Sequence, residues 1–174
     1  MSEWWAAFWF FAPAGVANFA PLFAARLPLL KHWDAPMDFD RTYGGHPIFG
    51  KNKTWRGLLF GAFAAAIVGL LQYRVITSSV ESTWFIISVT GAMGFGALIG
   101  DAVESFFKRR VGVKPGERWF PFDQIDYIIG GLLFASLFVS LTFGDVARIF
   151  VIFFGLHLAF SYLGYLIGFK KTPI

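Results

Sequence analysis

Asp101, Ser105, Lys108 and Arg109 stand at positions i, i+4, i+7 and i+8. On a helix that spacing sets them on one face. One carboxylate followed by a hydroxyl and two cations suits a metal–phosphate complex. The same stripe also describes a juxtamembrane helix with snorkelling side chains and ion pairs such as Glu104–Lys108. For Glu104 and Arg110 taken alone, that second reading is the simpler. Further on, Asp123 and Asp126 stand at i and i+3, just before an apolar run. They read either as a helix cap with an acidic residue in the first turn or as ligands. Asp101, Asp123 and Asp126 brought together would make an oxygen-rich site suited to Mg²⁺. Neighbouring Lys and Arg would then hold the phosphates that complete the coordination.

A second group lies upstream, in the run from Gly44 through Lys51, Asn52, Lys53, Thr54, Trp55 and Arg56 to Gly57. Gly45-x-x-x-x-Gly50-Lys51 nearly matches a P-loop, but Asn52 stands where Ser or Thr is needed and no strand is expected before it, so a Walker A motif is rejected. The stretch still suits phosphate: glycines let backbone N–H groups close on an anion, Lys51, Lys53 and Arg56 bring charge, and Thr54 precedes a helix N-terminus. A basic stretch lying on anionic headgroups is the competing reading. The histidines build no site: His32 and His46 are isolated in loops, and His157 stands within an apolar run.

The elements that must position these groups follow from composition. Of 174 residues, 56% are apolar, 20% aromatic and 15% charged, against roughly 45–50% apolar in soluble domains even with Gly counted. Cysteine is absent, which excludes disulfides, Cys-ligated metals and Cys nucleophiles. Five stretches reach the length of a membrane span: Trp4–Leu30, Gly57–Tyr73, Thr83–Gly100, Ile125–Phe143 and Val146–Phe169. The first carries Pro13 and Pro21 and predicts a kink or break. Gly96/Gly100 and Gly164/Gly168 are small-residue pairs that let helices approach closely. An all-α, polytopic integral membrane protein with five transmembrane helices is therefore expected, residues 1–174 forming one membrane-embedded domain. All but Arg74 and Arg148 of its 15 Lys and Arg fall on one side of these spans, in loops 31–56 and 101–124, in the tail, and at Arg26. By the positive-inside rule that side is cytoplasmic and the N-terminus is outside. The basic excess thus reports topology, and nucleic acid is not an expected partner.

These motifs together resemble the archaeal CDP-archaeol synthases, which are similar in their second loop to CDP-diacylglycerol synthases. Pro13-Ala-Gly-Val-Ala-Asn18-x-x-Pro21 looks like the family's first helix. Pro36-Met-Asp38-Phe followed by Gly50-x-x-Lys53-Thr54-Trp55-Arg56-Gly57 looks like its first-loop signature. Gly100-Asp101-x-x-x-Ser105-Phe106-x-Lys108-Arg109 with Asp123-Gln124-x-Asp126 looks like its second. Lys51-Asn52 stands where many relatives have Asp-Gly, and Trp119-Phe120-Pro121-Phe122 replaces the Gly-rich loop of the bacterial-type enzymes. The resemblance implies a CTP-dependent cytidylyltransferase acting in the cell membrane on an archaeal ether lipid phosphate, 2,3-di-O-geranylgeranylglycerol 1-phosphate, with release of pyrophosphate. In that chemistry Asp101, Asp123 and Asp126 hold Mg²⁺. Lys53, Arg56, Lys108, Arg109 and Lys114 take phosphates, with Ser105 on the same face. Asn52 and Thr54 bond the nucleotide or its phosphates. A CTP-dependent polyprenol or phytol kinase is the nearest rival, and a small membrane transporter is the rival from another class. A CDP-alcohol phosphotransferase is disfavoured by the absence of its Asp-Gly-x-x-Ala-Arg motif.

Overall fold

The computed structural model describes residues 2–76, 83–114 and 117–168. Among them the chain is all-α apart from one tiny hairpin. Its elements are α1 (Glu3–Ala24), β1 (Thr42–Tyr43), β2 (His46–Pro47), α2 (Trp55–Ile76), α3 (Thr83–Arg110), α4 (Phe122–Ala135) and α5 (Phe143–Leu166). The two strands pair antiparallel, Thr42 opposite Pro47 and Tyr43 opposite His46. This hairpin precedes Gly50-Lys51 but is not the buried strand of a P-loop fold. The 74–82 connection, the Pro115-Gly116 turn and the Lys170-Lys171 tail fall wholly or largely outside the described residues.

α1, α2, α3 and α5 are long and apolar enough to cross a membrane. The fourth expected span, Ile125–Phe143, is not realised as one helix. α4 stops at Ala135, and the Ser136 hydroxyl donates to the Leu133 carbonyl at 2.7 Å. Thr142 then caps α5: its hydroxyl accepts the Asp145 N–H at 3.2 Å, and the Asp145 carboxylate accepts the Thr142 N–H at 3.0 Å. That capping box takes residues 142 and 143 for the next helix. Fourteen residues at 1.5 Å rise give α4 a length of about 21 Å, short of a ~30 Å hydrocarbon core. Nor does α1 break at its prolines. It runs through Pro13 and Pro21 and ends at Ala24, six residues before the expected Leu30. Pro21 has no N–H for the Ala17 carbonyl, and this carbonyl lies against Gly61 of α2, only 3.0 Å from where a Cβ on Gly61 would stand.

α3 is the central helix, packing against α1, α2 and α4. Small residues permit this. A Cβ on Gly94 would lie 2.4 Å from the Ala65 Cβ. The α3–α4 approach is closer still. A Cβ on Gly130 would lie 2.2 Å from the Gly96 carbonyl oxygen, and one on Gly100 would lie 2.3 Å from that of Asp126. The Gly96/Gly100 pair is thus a backbone-to-backbone contact with α4. Gly168, just beyond α5 with φ 77°, has no such partner among the described residues. Phe11, Met93, Ile128 and Ile149, from four different helices, are fully buried in the core. At the end where α1 and α5 begin, Arg148 pairs with Glu3 and, at 3.2 Å, with Asp145. The end of α1 and the starts of α2 and α4 lie at the opposite end, together with the last turns of α3.

The glycine contact sets a stability expectation. Gly130→Ala forces α3 and α4 apart and costs roughly 1–3 kcal/mol or more. Gly155→Ala meets nothing within 4 Å and leaves the melting temperature unchanged or slightly raised. Thermal melting of the detergent-solubilised variants checks both.

Candidate active site

The site is built where the α3–α4 contact delivers its carboxylates. α3 continues past Gly100 to Arg110, so Asp101, Ser105, Lys108 and Arg109 do share a helix. Gly100 packs on the Asp126 carbonyl, which sets Asp101 and Glu104 of α3 beside Asp126 of α4. One oxygen from each of Asp101, Glu104 and Asp126 lies within 4.8 Å of the others. Asp123 adjoins this trio through Glu104. It accepts the Trp119 N–H at 2.6 Å and a bond from the Lys108 ammonium. Lys108 also lies 3.6 Å from Glu104, and both are buried. The Glu104–Lys108 pair therefore exists, but it is interior and not on the surface, and Glu104 joins the carboxylate cluster. Its signal was the i, i+3 spacing from Asp101. Asp123 does not cap α4 in the expected way: Pro121 occupies the cap position without a side-chain bond, and Asp123 reaches back to Trp119 instead.

The first loop supplies the opposing charge. Met37 N–H donates to the Lys53 carbonyl at 2.7 Å and Trp55 N–H to the Ala35 carbonyl at 3.1 Å, with Pro36 bridged to Thr54. This short pairing fixes the register of Lys53, whose ammonium meets Asp101 at 2.6 Å. Asp38 is buried and organises the turn: its carboxylate accepts the N–H groups of Phe49 and Gly50 at 2.8 Å each and of Asp40 at 3.1 Å. Burial acts to raise its pKa, but these backbone donors outweigh it and hold Asp38 below the usual carboxylate value. Phe39 and Asp40, with φ 51° and 57°, carry the turn through a left-handed conformation, which non-glycine residues adopt only when the surroundings hold them there.

Two clefts meet at this wall. The larger, about 870 Å³, runs from Lys51 past Arg26 to Asn18 and His157 inside the bundle. The smaller, about 440 Å³, is lined by Ser105, Lys108, Arg109 and Glu117. Lys51, Asn52, Lys53, Asp101 and Asp123 line both. The expected residues are therefore brought together, with differences in detail. Thr54 accepts the Gly57 N–H at 3.1 Å and caps α2. Arg56 is buried and gives Nη1 to the carbonyls of Leu30 and Lys31, at 3.1 Å each, tying α2 to the turn after α1. Arg109 bonds the Val113 carbonyl. Lys114 is exposed, its N–H bonded to Glu117 at 3.0 Å, and it lines neither cleft.

Arg56 and Lys53 consequently behave differently when truncated. Arg56→Ala leaves the Leu30 and Lys31 carbonyls without their partner and lowers the melting temperature, at about 1–3 kcal/mol. Lys53→Ala, which removes a partly exposed partner of Asp101, lowers it less. Melting curves of the two proteins side by side check this. Acid supplies a second expectation. A carboxylate whose pKa is depressed on folding stabilises fully above its unfolded value, and the stabilisation is lost as pH falls through the folded one. For Asp38 that loss lies below pH 3.8. Melting temperature followed against pH falls less steeply there in Asp38→Asn than in the parent protein.

Comparison with known proteins places the chain as a whole. The family model for CarS-like CDP-archaeol synthase matches residues 4–174. A CDP-archaeol synthase from Thermococcus onnurineus is 34% identical over 168 residues, covering 96% of this chain and 95% of that one. One from Methanosarcina barkeri is 37% identical over 156 residues, covering 79% and 89%. A solved structure described as an intramembrane enzyme for archaeal membrane lipids biosynthesis superposes with a TM-score of 0.74 at 28% identity, covering 88% of this chain and 90% of that one. With its carboxylates and cations gathered at one end of an apolar bundle, and with relatives matched along nearly its whole length, this chain belongs to the CarS-like CDP-archaeol synthase family.

Proposed function

We propose that this protein transfers the cytidylyl group of CTP to an archaeal ether lipid phosphate in the cell membrane, forming a CDP-activated lipid and pyrophosphate. The observation that carries the reading is the Lys53–Asp101 pair on a wall shared by two clefts. One cleft reaches into the apolar bundle at Asn18 and His157, and the other is lined by Lys108 and Arg109. A lipid phosphate approaches from the bilayer and a nucleotide from the water, so the two meet only at such a boundary. The excess of cations at this end supports a cytoplasmic face with the N-terminus outside.

The lipid phosphate is ionised at neutral pH, so no general base is needed. Its oxygen forms a bond to the α-phosphorus of CTP, and the bond from that phosphorus to the bridging oxygen breaks. The electron pair leaves with pyrophosphate. Catalysis is then positioning and charge neutralisation. Lys53, released from Asp101 as substrate enters, holds phosphate oxygens on the shared wall. Ser105 and Arg109 hold those in the smaller cleft, and Lys108 keeps Asp123 oriented. Asn52, on the shared wall, bonds the nucleotide, and Thr54, which lines only the larger cleft, meets phosphate oxygens there.

The donors fit Mg²⁺: Asp101, Glu104 and Asp126 offer hard, anionic oxygens on two helices. One Glu104 oxygen is buried without a hydrogen bond, the Lys108 ammonium lying 3.6 Å from it. These three would hold the ion, with Asp123 beside them, and when bound it neutralises charge on the phosphates. A polyprenol-type kinase would instead move the γ-phosphoryl group and release CDP. A transporter would need polar residues along the inside of its helices, whereas here the charges cluster at one end of the bundle.

Incubation of the purified protein with α-labelled CTP, Mg²⁺ and the ether lipid phosphate puts label in the lipid. Label in free CDP, with none in the lipid, contradicts transfer. Lys53→Ala lowers turnover by about one to two decades, through loss of a charge-assisted contact worth roughly 1.5–3 kcal/mol. Asp101→Asn, Asp126→Asn and Glu104→Gln lose most activity while their melting temperatures stay close to the parent's. Near-full activity in all three contradicts the cation assignment.

A further inference from the structure

The stretch Pro47–Gly50 is gripped from both sides. Asp38 takes the N–H groups of Phe49 and Gly50. The carbonyls on the same stretch point the other way, to Arg110 at the last turn of α3. Arg110 Nη1 donates to Pro47 at 3.0 Å and Ile48 at 3.1 Å, and also to the Phe106 carbonyl at 2.9 Å on its own helix. Nη2 reaches the Tyr43 carbonyl at 3.4 Å. The guanidinium lies 3.6 Å from the Phe106 ring centroid and 5.6 Å from that of Tyr43, and these two rings stack at 6.4 Å. Arg110 lines neither cleft. Its planar fork is committed to backbone and rings, which is the use for which Arg surpasses Lys.

We infer that Arg110 is a positioning residue that latches the first loop onto α3 and so holds Lys51, Asn52 and Lys53 at the shared wall. The physical need is clear. The β1–β2 hairpin has two residues per strand, too few to be stable alone, and its strand residues are exposed. Without anchorage, the segment carrying Lys53 samples many conformations, and each substrate encounter bears the cost of ordering it. A cation on the carbonyls and an anion on the amides of one four-residue stretch fix it before substrate arrives. Arg110 sits two residues after Lys108 and one after Arg109, so the α3 turn that supplies charge to the smaller cleft also anchors the loop forming its opposite side.

The kinetic consequence rests on the transfer reading above; the structural one does not. Hydrogen exchange of the full-length protein in detergent, without nucleotide, compares the parent with Arg110→Gln and Arg110→Lys. Amides of residues 42–54 exchange about tenfold faster or more in both variants, while those of α1 and α2 are unchanged. In the transfer assay KM for CTP rises about tenfold in both, with a smaller change in kcat. Lys fails to rescue, because its shorter chain ends before the Nη1 position and its ammonium has no planar face to lay on the Phe106 ring. Unchanged loop exchange in Arg110→Gln overturns the latch. So does a Lys variant that restores KM, since that marks Arg110 as a simple charge on phosphate. Faster loop exchange in a protein that transfers no cytidylyl group supports the latch and removes the functional reading alone.

Discussion

Where residue 100 of α3 meets α4 there is no room for a side chain: a Cβ there would stand 2.3 Å from the Asp126 carbonyl oxygen. The crossing recurs one turn back, where Gly130 meets Gly96. Close backbone approach is what small residues provide in a membrane, where apolar surface alone gives helices no reason to associate. Here it also decides chemistry. Asp101 follows Gly100 directly, so wherever the glycine docks, the carboxylate is carried to Asp126. A wider crossing would leave Asp101, Glu104 and Asp126 as three unrelated acids on two helices.

Bringing carboxylates together in a partly buried place is costly unless opposite charge comes with them. The chain supplies it locally. Lys108 lies between Glu104 and Asp123 on the inner side, and Lys53 arrives from the first loop to meet Asp101. The two lysines differ in burial, Lys108 being enclosed and Lys53 partly exposed. Lys108 is therefore a fixed counter-charge, whereas Lys53 is free to exchange its carboxylate for a phosphate. In this account a divalent cation completes the balance on the remaining oxygens.

Much of this was legible in the sequence because it rests on periodicities and punctuation. Apolar length marked α1, α2, α3 and α5, and the i, i+4, i+7, i+8 spacing placed Asp101, Ser105, Lys108 and Arg109 on one helix. The end of the fourth span differs from the expected Phe143 because hydropathy is blind to where one apolar helix hands over to the next. The capping signal Thr142-x-x-Asp145 marks that handover. Arg56 is expected on phosphate because charge is visible in a sequence and partners are not; it lines the larger cleft, but its Nη1 is given to backbone carbonyls. Its carbonyl partners at Leu30 and Lys31 lie 26 and 25 residues away. Glu104 reads as a plain ion pair for the matching reason: an i, i+4 neighbour of opposite sign suffices to explain it until its burial is known. Asp38 belonged to a recognisable motif, but its grip on Phe49 and Gly50 depends on loop geometry that no spacing rule encodes.

The account turns on the α3–α4 crossing making one cation site from Asp101, Glu104 and Asp126. Mn²⁺ binding to the detergent-solubilised protein, followed by electron paramagnetic resonance of the free ion, measures this without requiring turnover. One tightly bound Mn²⁺ per chain is expected. It should be displaced by Mg²⁺, weakened by at least about tenfold in Asp101→Asn, Asp126→Asn and Glu104→Gln, and retained in Asp38→Asn. Binding that survives unchanged in those three variants would contradict the account.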